Sequence, residues 1–170
     1  AASYDAPTGL TSDRWYKREV TSCGQTEETS SVKVTVSPEL TGGSIGTAHT
    51  ICYNGDPNNL TDAISVSGGD GSYTYDWLWS SNGTTGWTSL GIDAASYDAP
   101  TGLTSDRWYK REVTSCGQTK ETSSVKVTVS PELTGGSIGT AHTICYNGDP
   151  NNLTDAISVS GGDGSYTYDW

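Results

Sequence analysis

Four cysteines, Cys23, Cys52, Cys116 and Cys145, are the side chains of this 170-residue sequence best suited to chemistry. None stands in a C-x-x-C pair, and only His49 and His142 accompany them, so the ligand spacing of a tetrahedral zinc site is absent. Disulfide chemistry remains, in two arrangements: Cys52 with Cys116, or Cys23 with Cys52 together with Cys116 with Cys145. The aspartates Asp56, Asp62, Asp70, Asp93, Asp98 and Asp106 gather among turn residues and offer oxygen ligands of the kind calcium takes. Their spacing fits no known calcium loop, and Asp favours turns for its own backbone-bonding reasons. No cofactor is therefore expected, with calcium as the one alternative. No Ser-His-Asp order with a strained elbow, no phosphate-binding glycine loop and no recognisable carboxylate pair occurs, so an enzyme is not expected.

Aromatic residues form the second chemical resource. Tyr73, Tyr75, Trp77 and Trp79 alternate along one strand face, and flat rings stack on pyranose sugars as readily as they fill a core. Tyr75 and Trp77 are assigned to the core. Trp79, Trp87 and Trp108 are the candidate glycan contacts. The acceptor-type triplets Asn59-Leu60-Thr61 and Asn82-Gly83-Thr84 are glycosylation sequons whose use depends on the host.

The elements that must position these groups come as a repeat. Ala1-Ala2-Ser3-Tyr4-Asp5 returns at Ala94-Ala95-Ser96-Tyr97-Asp98, and the identity runs to Tyr168-Asp169-Trp170 with one mismatch, Glu27 against Lys120. Ser37-Pro38-Glu39-Leu40-Thr41-Gly42-Gly43 recurs at Ser130 to Gly136 and carries the Pro and paired Gly that end a strand. It divides the chain into the late half of one unit (1–38), a complete unit (39–131) and the early half of another (132–170). The polypeptide is expected to continue in both directions, with short Pro-bearing linkers setting the units end to end.

The formal charge is −11, and the complete unit carries ten acidic against five basic residues. Such a polymer repels nucleic acid and anionic membrane, and no apolar run reaches the length of a membrane helix. Nucleic-acid partners and membrane embedding are not expected. Met and Phe are absent while Gly, Ser, Thr, Val, Ile, Tyr and Trp are frequent, a strand-and-turn composition. Period-two runs cover Ala63–Ser67, Tyr73–Ser80, Gly86–Leu90, Arg107–Ser115 and Ser123–Val129. Ile64, Val66, Tyr75, Trp77, Val113, Val125, Val127 and Val129 are read as core. Seven or so short strands in one unit predict an all-β, immunoglobulin or fibronectin III-like β-sandwich in tandem array. Leu103 and Tyr109, six apart before a long strand, resemble the tyrosine corner of such sandwiches.

The whole unit resembles the Ig-like tandem repeats of giant type IX-secreted cell-surface adhesins of Bacteroidota, of the SprB-like gliding filament kind. The likeness rests on Gly43-Ser44-Ile45-Gly46, Thr50-Ile51-Cys52, Gly68 to Trp77, Trp108-Tyr109-Lys110-Arg111 and Val125 to Val129. The resemblance implies an extracellular, cell-surface location and a role as a stalk or rod in adhesion or gliding motility. Partners would be neighbouring identical repeats. The alternative is multivalent glycan binding through exposed aromatics. In an exported protein the Cys52–Cys116 pairing within one unit is expected, closing about 64 positions for roughly 4 kcal/mol in the chain-entropy account. Cys23 and Cys145 would then pair outside the sequence.

Overall fold

The computed structural model describes residues 3–170. Fourteen strands follow in chain order. β1 (Arg14–Tyr16), β2 (Glu19–Ser22), β3 (Gln25–Glu28) and β4 (Val32–Val34) belong to the first, partial unit. The complete unit holds β5 (Ser44–Ile45), β6 (His49–Ile51), β7 (Asp62–Ile64), β8 (Thr74–Ser80), β9 (Thr88–Ser89), β10 (Arg107–Ser115), β11 (Gln118–Glu121) and β12 (Val125–Val129). β13 (Ser137–Ile138) and β14 (Asp155–Ile157) open the third. Among the described residues there is no helix, and the fold is an all-β sandwich.

β10 is the spine of the complete unit, and its sequence explains why. Tyr109, Arg111, Val113 and Ser115 alternate with Trp108, Lys110, Glu112 and Thr114, so one face is sealed while the other stays partly open. β8 lies antiparallel along it, with Arg111 opposite Trp77 and Val113 opposite Tyr75. β12 pairs with its first three residues and β11 with its last four. The sheet order is β6-β12-β10-β8-β9, β6 running parallel to β12. The second layer is lighter: β5 with β7, reinforced by the bridges Thr41↔Ser67, Gly55↔Leu103 and Leu60↔Tyr97.

Ile45, Leu60, Trp77, Ala99, Leu103, Tyr109 and Val127 form the core between the layers. Tyr97 bridges it, with its ring centroid 5.6 Å from Trp77 and 5.7 Å from Tyr109. Trp77 is fully buried and donates its indole N–H to the Ala94 carbonyl at 2.8 Å, so its one polar atom is satisfied. Each such large apolar side chain contributes about 1.5–3 kcal/mol on leaving water.

Trp77, Val113 and Val127 lie in the interior as read from the alternation, while Tyr75, Val66, Val125 and Val129 are half-buried at its margin. Ile64 departs from the expectation: it is 66 % exposed. β7 is three residues long and pairs only with β5, so nothing crosses over Ile64. A register shift between Ser44 and Ile45 also disturbs the alternation there. The tyrosine corner likewise needs correction. Leu103 and Tyr109 do share the core, but the buried Tyr109 hydroxyl makes no hydrogen bond to the loop backbone. The Leu103 carbonyl is taken instead by the Asn54 N–H at 2.8 Å.

Candidate functional site

Trp79, Trp87 and Trp108 do not meet. Side chains alternate across a sheet, so Trp79 shares the inner face with Trp77, while Trp108, opposite Ser80, lies on the outer face. Each of the three is half-buried and capped by a cation: Arg107 over Trp79 at 4.5 Å, Lys110 over Trp87 at 4.8 Å and Lys126 over Trp108 at 4.8 Å. The Ser81–Gly86 loop closes on Trp108 as well, and a Cβ on Gly83 would collide with the indole ring. Asn82 fixes that loop by accepting the Thr84 and Thr85 N–H groups, each at 2.9 Å. The rings therefore face ammonium and guanidinium groups, which use the aromatic quadrupole internally. No flat three-ring platform is formed.

The outer face is a network of charges. Lys110 pairs with Glu121 at 2.7 Å and Lys126 with Asp106 at 2.6 Å. Asp106 also accepts the Val129 N–H at 2.8 Å, and the Lys126 ammonium followed by that N–H holds its carboxyl below the usual range. Glu112 is pushed up, first by burial and then by Glu121 beside it, while Lys110 draws Glu121 down.

Beneath this face sits a charged residue outside the set of core candidates. Arg111 is fully buried. Its guanidinium bonds Asp62 of β7 at 2.7 Å and the Ala95 carbonyl, and it lies against Tyr75 and Trp77 at 5.1 and 5.6 Å. It is an ionic clasp between the two layers. Its inward parity with Tyr109 and Val113 along β10 is the sequence signal that could have found it.

All four cysteines are free thiols and exposed. The Cys52–Cys116 pairing within a unit is overturned by the topology. Ile51 stands opposite Val129, and Val127 stands opposite Arg107, so Cys52 lies beyond the start of β10. Cys116 follows Ser115 at the far end of that strand. Nine residues of β10 separate the two poles, about 30 Å at the usual rise of about 3.3 Å per residue. A disulfide needs Cα atoms within about 7 Å.

Asp70 anchors the pole that carries Cys116. It accepts the Ser72 N–H at 2.9 Å and the Ser115 hydroxyl at 3.0 Å, bonds that hold its carboxyl below the ordinary value. Among the described residues, no group of three or more His, Cys, Asp or Glu side chains is gathered as a metal site.

With this geometry in place, comparison with known families adds one finding. A family described as Domain of unknown function (DUF8696) matches residues 41–131. The chain belongs to that family. No curated protein matches it. The DUF8696 match spans the linker-proximal Thr41, the Arg111 clasp, the Trp77 core and both cysteines of the complete unit.

Proposed function

We propose that this chain is a run of structural repeats forming the stalk of an extracellular adhesin or surface filament, the repeats being immunoglobulin-like in descent. The observation that carries the reading is the construction of the unit's two poles. At one end, the Ser130 N–H donates to the Ile51 carbonyl just before the linker, at 2.9 Å. At the other, the Gly69 N–H donates to Pro38 at 2.9 Å, and Gly162 repeats that bond with Pro131 at 2.9 Å. The linker at Pro131 is thus tied to folded structure on both sides, which favours a stiff end-to-end array over beads on a flexible string.

The internal use of Trp79, Trp87 and Trp108 argues for a scaffold over a glycan platform. Negative charge on each unit resists lateral collapse and suits a soluble surface filament. Gliding motility and export through type IX secretion stay with the resemblance alone.

Small-angle scattering on arrays of two, four and six units tests the reading. Maximum dimension should grow linearly, by at least about 30 Å per unit, the length of the spine strand. Growth with a square-root dependence on unit number would count against a stalk. Glycan-array binding abolished by Trp87→Ala and Trp108→Ala would establish the alternative.

A further inference from the structure

We propose that Cys52 is one half of a disulfide between consecutive repeats, its partner being the Cys116-type thiol of the repeat that follows. The inference rests on the stalk reading.

The geometry starts from the hairpin that carries Cys116. Cys116 and Gly117 both have left-handed backbone, φ 49° and 71°, between paired Ser115 and Gln118. That is the two-residue hairpin turn with positive φ at both central positions, where Asn, Asp or Gly is preferred over Cys. Cys23 repeats the departure at φ 52°. The tip is fastened to its own repeat's leading pole: Ser115 to Asp70, Gln118 to the Leu40 N–H at 3.0 Å, and Lys120 to Glu39 at 2.9 Å.

Cys52 belongs to the trailing pole, one residue past the Ile51 carbonyl that holds Ser130. Only the linker separates it from the next leading pole, and Ser130 to Leu133 spans at most about 10 Å. The next pole repeats the geometry of the first. Tyr166 donates to Gly161 at 2.7 Å as Tyr73 does to Gly68 at 2.9 Å, and Ser165 bonds Asp163 at 2.9 Å as Ser72 bonds Asp70. Gly162 and Asp163 therefore stand where Gly69 and Asp70 stand, beside the Cys116 hairpin of their own unit. A cleft of about 430 Å³ is lined by these two residues together with Cys52, Tyr53, Pro131 and Leu133. The repeat geometry directs the following unit's Cys-Gly hairpin to that cleft and to Cys52.

The chemistry is thiol–disulfide exchange with a low-molecular-weight disulfide. One protein thiolate attacks it, forming a mixed disulfide and releasing one small thiol; the second protein thiolate displaces the other. Two protein thiols are oxidised, one disulfide is reduced to two small thiols, and the two protons pass to those products.

The test uses the full chain extended at its C-terminus by residues 78–131, which completes the second repeat. Cys23→Ser, Cys116→Ser and Cys145→Ser leave Cys52 and the added Cys116-type thiol. After equilibration in an oxidised/reduced glutathione buffer, maleimide titration should fall from two thiols per chain to none, in monomers. Persistence of both thiols while circular dichroism reports folded strands would overturn the proposal, as would oxidation confined to dimers. A second variant of the extended chain, retaining only the original Cys52 and Cys116, should form no internal disulfide, its thiols remaining free or carrying glutathione by intact mass, whereas the first variant should lose two hydrogens and carry no glutathione. The stalk reading fails separately, if reduced arrays lose their linear growth in scattering dimension.

Discussion

Trp77 and Trp170 occupy the same position in the repeat and meet opposite surroundings: the first is completely buried, the second 78 % exposed. Leu40 and Leu133 show the same contrast at 1 % and 60 %, and Val127 and Val34 at 0 % and 38 %. The backbone responds too. The nine-residue β10 has as its counterpart two shorter strands, β1 and β2, with Lys17 and Arg18 in neither. The corresponding Lys110 and Arg111 are the two β10 residues outside the registers with β12 and β11, and β8 is the one strand in register with them. The Arg111 carbonyl also accepts the Thr122 N–H, as the Arg18 carbonyl accepts that of Thr29. Where β8 is not alongside, the same residues do not stay in a ladder. Continuity of the spine strand is thus a property of its neighbour.

The largest test of this contrast removes the indole. Trp77→Ala should destabilise the complete unit by about 3–5 kcal/mol, combining lost burial with a cavity. Trp170→Ala should change stability by less than about 0.5 kcal/mol, as expected for an exposed side chain. Denaturant unfolding followed by tryptophan-independent far-UV circular dichroism compares them. Equal costs would mean that the partial unit packs as the complete one does.

Arg111→Ala is expected to cost about 2–4 kcal/mol, because the fully buried side chain leaves a cavity and the partly exposed Asp62 loses its partner. Arg18→Ala, in the exposed counterpart, should be nearly silent. Replacing both clasp members, Arg111→Met with Asp62→Leu, should recover most of the loss, since a packed apolar pair often substitutes for a buried ion pair. A double-mutant cycle with no coupling would break the clasp assignment.

A smaller effect should be shared by both copies. Asp106 and Asp13 make the same clamp: Val36 donates to Asp13 at 2.8 Å as Val129 does to Asp106, and Lys33 pairs with Asp13 at 2.6 Å. Both carboxyls are held below the usual value of 3.8, in each case chiefly by the lysine. Their contribution is present above that value and lost as pH falls through the lower folded value. Asp106→Asn should therefore cost about 1 kcal/mol at neutral pH, with the difference from the parent shrinking in strong acid. A pH series of urea midpoints checks the sign.

The smallest effect has the opposite direction. Glu112 is raised above 4.5 by burial and by Glu121, so its charged form weighs against folding at neutral pH, and that penalty is relieved as pH falls through the raised value. Glu112→Gln should stabilise the unit by a few tenths of a kcal/mol at pH 7. Destabilisation there would show that Glu112 supports Lys110 more than it opposes Glu121.

Much of the architecture was legible in the chain before any fold was known. The repeat, the all-β class and the interior places of Trp77, Val113 and Val127 follow from identity and alternation. Other readings failed for physical reasons. Ile64 alternates properly but lies on a short strand with no covering layer. Cys52 and Cys116 flank Trp77 in order, yet chain order does not say which pole a turn occupies. Arg111 was not among the residues read as core, although it shares the inward parity of Tyr109 and Val113.

The two copies separate these influences. Bonds between residues close in the chain, or across one hairpin, recur in both: Thr21–Thr26 with Thr114–Thr119 at 2.9 Å, and Tyr73–Gly68 with Tyr166–Gly161. Those features are written into short stretches of the chain, since a local bond asks only for the right φ/ψ and a nearby partner. Burial of the core, unbroken β10, the Arg111–Asp62 clasp and the placing of the cysteines at opposite poles were decided by the tertiary structure. Each depends on segments far apart in the chain, whose meeting removes water and supplies the partner that no local stretch contains.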